Sequence, residues 1–98
     1  MNEFNKIISQ DKPTLVDVFA TWCGPCKMMH PILEDIKRRV GDRATILKVD
    51  IDKNEALTAQ YGIQSVPTLM IFKHGQLVWR EPGVHSADDM VLALERFM

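Results

Sequence analysis

Leu15-Val16-Asp17-Val18-Phe19-Ala20 runs through Thr21 into Trp22-Cys23-Gly24-Pro25-Cys26, and this stretch decides the fold. Its first six residues are apolar on both alternating faces except at Asp17, the pattern of a central strand covered on both sides. From Pro25 to Val40 the apolar period changes. Met29, Ile32, Leu33, Ile36 and Val40 form one stripe with Lys27, Glu34, Lys37 and Arg38 opposite, which predicts an amphipathic helix closed by Gly41. Pro31 falls inside that helix, where it removes a hydrogen bond and is expected to kink it. Between strand and helix lie the only two cysteines of the chain. Residues so spaced at a helix start share a face, with Cβ atoms about 5–6 Å apart, and a small closure of the turn brings them into disulfide geometry. The first thiol also sits at the positive end of the helix, where unpaired N–H groups favour a thiolate.

Working outward, Glu3 to Ser9 reads as a short helix with Phe4, Ile7 and Ile8 on one side, broken by Asp11-Lys12-Pro13. Ala44 to Asp50 reads as a second buried strand, interrupted only by Lys48. Asn54 is placed to N-cap a short helix that runs through Gln60 and ends at Gly62. Thr68 to Lys73 is a third strand, His74-Gly75 a hairpin turn and Gln76 to Glu81 its antiparallel partner, ended by Pro82-Gly83. Ser86 with Asp89 makes an acidic variant of the capping box, and Met90, Val91, Leu94 and Phe97 give the last helix one apolar face. Strands joined through helices are expected to run parallel, and the last two to pair as a hairpin. There are no internal repeats, linkers or low-complexity stretches.

Ninety-eight residues make a single domain, 1–98, long enough for a core without cross-links. The formal net charge is -1 and the Lys and Arg residues are dispersed, so no nucleic-acid or membrane surface is expected as a main partner. Met1 to Gln10 is polar and lacks the apolar core of a signal peptide, and no apolar run approaches a membrane span. The expected compartment is the cytoplasm. There a Cys-x-x-Cys pair is catalytic or metal-binding more often than a structural staple.

Cys23 precedes the first helical turn and is expected to be the exposed nucleophile. Cys26 lies one turn in, more buried, as the thiol that resolves a mixed disulfide formed by Cys23. Gly24 permits close approach, and Pro25 suits the first turn, where no N–H is needed. Trp22 either shields the site and contacts substrate or belongs to the core. Asp17 stands in the middle of a buried strand that runs toward the motif, where an unpaired carboxylate is costly. It reads as a proton acceptor or donor for Cys26 with a raised pKa, or as half of a buried ion pair with Lys48 on the next strand, and the two readings are compatible. Pro67 opens the third strand as either a trans proline or a cis proline that leaves backbone groups free for an extended partner. A zinc site built from Cys23, Cys26 and His30, with His74 or His85 as fourth ligand, lacks motif spacing, so no metal is expected and His30 reads as a solvated helix residue. The methionines read as packing.

Trp22-Cys23-Gly24-Pro25-Cys26-Lys27 after a buried strand resembles the thioredoxin family, and the resemblance extends over roughly Leu15 to Met98. Asp17 stands at the family's buried acid, Pro31 at its helix proline and Lys48 at the lysine near that acid. Tyr61-Gly62-Ile63 followed by Val66-Pro67-Thr68 resembles the segment with its cis proline; Gly75 matches its hairpin glycine and Gly83 its groove glycine. The resemblance implies an α/β thioredoxin fold, with a central mixed sheet flanked by four helices. Only fourteen residues precede Leu15, so the family's N-terminal edge strand is expected to be absent, leaving four strands and a new edge. It further implies a monomeric protein-disulfide reductase with no bound cofactor and a redox-active disulfide, Cys23–Cys26. Disulfide-containing proteins would be its substrates and thioredoxin reductase, using NADPH, its electron source. Trp22, Val66, Pro67, Gly83 and Val84, beside Gly24 and Pro25, would line the groove for an extended substrate segment. The Gly-Pro dipeptide fits the reducing branch; a histidine between the cysteines would stabilise the thiolate and make the pair more oxidising. Ser65 in place of a common glycine, and Trp79-Arg80-Glu81-Pro82 before the groove glycine, depart from the family pattern and bear on substrate range. Two other functions fit the same fold: a redox-independent binding subunit or holdase, which a double Cys→Ser variant would leave active, and an oxidase or isomerase, against which the Gly-Pro spacer argues.

Overall fold

The structure, a computed structural model, describes residues 2–98; Met1, which opens the polar amino-terminal stretch, lies outside the described residues. Its elements are α1 (Asn2–Ile8), β1 (Thr14–Phe19), α2 (Gly24–Val40), β2 (Thr45–Asp50), α3 (Glu55–Gln60), β3 (Thr68–Lys73), β4 (Gln76–Pro82) and α4 (Ala87–Glu95), with short 3-10 turns at Gly41–Arg43 and Ile51–Lys53. The sheet order is β2-β1-β3-β4. β1 is central because its side chains are apolar on both faces. Leu15 packs with Met29, Leu33 and Ile36 of α2 and with Met90 and Leu94 of α4. Val16 and Val18 point the other way, toward Phe4 and Ile8 of α1 and Leu57 of α3. Alternation therefore sends the Asp17 side chain to the α2 face, between Leu15 and Phe19.

Two strand expectations are corrected. β2 pairs with β1 in parallel, as expected, but β3 pairs with β1 antiparallel. The connection after β2 does not return along the sheet. α3 has six residues and rises only about 9 Å, so the helix by itself does not span a strand about 20 Å long. The chain stays at the end of the sheet where β1 and β2 finish, and β3 starts there, with Thr68 opposite Val18. β2 is also not a doubly covered strand. It is an edge, half-exposed along most of its length, with only Val49 buried, and Lys48 faces solvent. Among the described residues no strand precedes β1, so this edge has no partner.

The helix ends follow local chemistry. α2 stays one continuous helix through Pro31 and ends at Gly41. Ser86 caps α4 by accepting the Asp89 N–H at 3.1 Å, one half of the expected reciprocal box. Asn54 occupies the cap position of α3 but makes no side-chain cap; its Nδ2 donates to the Asp50 carbonyl at 2.9 Å, so it ties the preceding turn instead. In the hairpin His74 (φ 53°) and Gly75 (φ 81°) both take positive φ, the pairing a two-residue turn needs to match the strand twist. β3 ends at Lys73 as expected; β1 shifts by one residue, and β4 starts at Gln76 as expected but extends one residue further, to Pro82.

Candidate active site

The site forms where β1 hands over to α2. Cys23 is the N-cap of α2, in extended conformation, and its Sγ accepts the Cys26 N–H at 3.1 Å. Pro25 sits in the first turn, where the missing N–H costs nothing. Cys23 and Cys26 are joined as a disulfide with Cα atoms 5.3 Å apart. Once the bond is reduced, the same N–H and the helix terminus favour a thiolate on Cys23. One expectation is corrected: Cys23 keeps only 5% of its surface, close to the 2% of Cys26. Its sulfur is turned inward, 3.6 Å from the Val66 carbonyl oxygen, and the pair packs with Phe19, Ala20, Ile51 and Val66. Around it Trp22, Gly24 and Pro25 are exposed.

Asp17 is fully buried on the α2 face, and neither carboxylate oxygen has a hydrogen-bond partner. Desolvation pushes its carboxyl up from 3.8 to about 6, against a smaller downward pull from Lys48. The two residues are register partners across β1 and β2. The buried Asp17–Lys48 pair does not form. Lys48 is exposed, with Nζ 2.6 Å from His30 Nδ1 and 5.0 Å from the centre of the Phe19 ring. His30 is therefore exposed but hydrogen-bonded, not a merely solvated residue.

Trp22 is 69% exposed, which removes the core reading. Its Nε1–H donates to Asp52 Oδ2 at 3.0 Å, and with Ile51, Ile63, Gln64, Ser65 and Val66 it lines a hollow of about 310 Å³ beside the cysteines. The Val66–Pro67 bond is cis, the isomer the resemblance implied. The Gly83 N–H donates to the Pro67 carbonyl at 2.8 Å and brings the β4–α4 connection to this side of the site, with Val84 next in the chain and exposed. Gly83 has φ 89° and open space where a Cβ would stand, so backbone conformation, not crowding, restricts the position. His74 and His85 lie elsewhere: His74 is 3.6 Å from Asp11, and His85 Nε2 is 3.1 Å from the Pro82 carbonyl with its ring edge-on to Trp79. Among the described residues no three His, Cys, Asp or Glu side chains gather as a metal site.

The sequence pattern does not mark Asp52 and His30 as partners of site residues. An indole N–H needs an acceptor, which was a signal for Asp52, but thirty positions separate it from Trp22. Nothing in the spacing joins His30 to Lys48.

A cysteine pair joined as a disulfide at the start of a helix, on a mixed sheet covered by helices on both faces, is the arrangement of a thiol–disulfide oxidoreductase. A family model described as Thioredoxin matches residues 1–96. A thioredoxin of Alicyclobacillus acidocaldarius is 48% identical over 87 residues, covering 89% of this chain and 83% of that protein. A thioredoxin-like protein of Synechocystis is similar to the same extent. The solved structure of a mutant thioredoxin from Halobacterium salinarum superposes with a TM-score of 0.90 at 33% identity, over 99% of this chain and 84% of that one. The chain belongs to the thioredoxin family.

Proposed function

We propose that this protein is a protein-disulfide reductase that works as a monomeric, single-domain electron carrier in the cytoplasm and is recharged by a thioredoxin reductase. The observation that carries the reading is the Cys23–Cys26 pair at the start of α2, with the Cys26 N–H directed at Cys23 Sγ. The Cys23 thiolate attacks one sulfur of a substrate disulfide, and the substrate's other sulfur leaves as a thiolate. A mixed disulfide now joins Cys23 to the substrate. Asp17 takes the proton from the Cys26 thiol, and the Cys26 thiolate attacks Cys23 Sγ, closing the Cys23–Cys26 disulfide and expelling the second substrate thiolate. Two electrons pass to the substrate, and the reductase returns two. A carboxyl raised to about 6 suits a group that accepts a proton in one direction and gives it back in the other near neutral pH. Lys48 moderates that carboxyl. Trp22, Gly24, Pro25, Val66, Pro67, Gly83 and Val84 hold the extended segment that carries the substrate disulfide, with backbone groups around Pro67 available for pairing. Use of Cys-x-x-Cys as a working pair fits a reducing compartment.

The test is a Cys26→Ser variant incubated with oxidised insulin. A stable adduct through Cys23, seen by mass spectrometry, is expected; recovery of the variant without any adduct refutes the assignment of roles. NADPH with a thioredoxin reductase should sustain insulin reduction by the native protein. Activity with a chemical thiol alone would keep the chemistry and reject that donor.

A further inference from the structure

Lys48 stands beside a buried carboxylate in the sheet register but bonds to a different acceptor. It is the register partner of Asp17, so both side chains leave neighbouring strands on the same face. Asp17 is buried, with both oxygens unbonded. A buried carboxylate and an ammonium on register-paired residues attract, and an ion pair would give the carboxylate a partner. Instead the ammonium passes over the Phe19 ring and ends 2.6 Å from Nδ1 of His30, one helical turn beyond Cys26. Nδ1 accepts this bond only if the ring is neutral with its hydrogen on Nε2. Lys12, Glu34 and Lys37 line the same cleft. Among the described residues Lys48 forms no ion pair with Glu34 or any other carboxylate.

We propose that His30 is a positioning residue whose ring nitrogen holds the Lys48 ammonium away from the buried Asp17 carboxylate, leaving Asp17 unpaired and free to exchange a proton with Cys26. The device rests on the proton role given to Asp17 under the proposed function, and it adds a residue that governs that role without touching the sulfurs. Loss of the tether lets Lys48 settle on Asp17, which then behaves as an ordinary ion-paired carboxylate and a poorer base.

The experiment follows the Asp17 carboxyl resonance by carbon-13 NMR through a pH titration. It compares the native protein with His30→Ala, His30→Asn, Lys48→Met and the His30→Ala, Lys48→Met double variant. His30→Ala is expected to lower the Asp17 midpoint by about 1 or more, the effect of an opposite charge moving to hydrogen-bonding distance. His30→Asn keeps an acceptor oxygen near the place of Nδ1 and should leave the midpoint at its native value. In the Lys48→Met background His30→Ala should change nothing further. An unmoved or raised midpoint in His30→Ala overturns the proposal, as does a fall of equal size without Lys48. The pH profile for release of a Cys23 mixed disulfide by Cys26 separates this idea from the one it rests on. If the Asp17 midpoint falls and the release profile follows, both stand. If the midpoint falls and the profile does not move, the tether stands and Asp17 is not the proton acceptor.

Discussion

Asp17→Asn should make the protein more stable at alkaline pH than at acid pH, relative to the native chain. Asp17 is fully buried and its oxygens find no partner. Burial holds its carboxyl near 6 in the folded protein against 3.8 in the unfolded chain, after Lys48 has offset part of the effect. The folded state binds this proton more tightly, so the contribution of the protonated acid is fully present below pH 3.8 and is lost as pH rises through about 6. A rise of that size corresponds to about 3 kcal/mol of stability withdrawn from the native protein across the window. Asparagine carries no charge at any of these pH values. Its unpartnered amide adds a pH-independent offset, so the informative quantity is the change in the gap between variant and native protein. Denaturant unfolding of the oxidised proteins from about pH 3.5 to about pH 8 should show that gap shifting by about 3 kcal/mol in favour of the variant. In thermal unfolding the equivalent movement is about 12–24 °C for a domain this small. A gap constant to within about 0.5 kcal/mol, or one moving the opposite way, would refute the claim that desolvation controls this carboxyl.

Ser86→Ala removes the acceptor for the Asp89 N–H at the exposed start of α4 and should cost about 1 kcal/mol, read as a fall in the denaturant midpoint with unchanged slope. Asp52→Ala frees the Trp22 indole and should raise KM for a protein disulfide several-fold while leaving the reduction rate of a small aromatic disulfide unchanged. Because that hydrogen bond is exposed, the stability change should stay within about 1 kcal/mol.

The parts of the fold legible in the chain were those settled by neighbours a few positions apart. The two-sided apolar run at Leu15 to Phe19 required a central strand, and the stripe from Met29 to Val40 required a helix against it. Their junction put Cys23 at a helix cap and Cys26 one turn on, which is the working chemistry of the protein. His74-Gly75 and Ser86 were equally local, since a turn type or a cap depends on the residues that form it. The exposure of Lys48, the burial of Cys23, the direction of β3 and the partner of His30 are not legible in this way, because each depends on where distant segments come to rest. Whether β2 is covered or lies at an edge follows from which strands pair, and that left Lys48 outside while Asp17 stayed inside. The direction of β3 is settled by its pairing with β1, and the burial of Cys23 by Val66, forty-three positions away, folding over it. Backbone periodicity and capping act over one or two turns of chain, so they can be read along it. The environment of a charge depends on everything packed around it, and only the assembled sheet and helices place His30, Lys48 and Asp17 on one face.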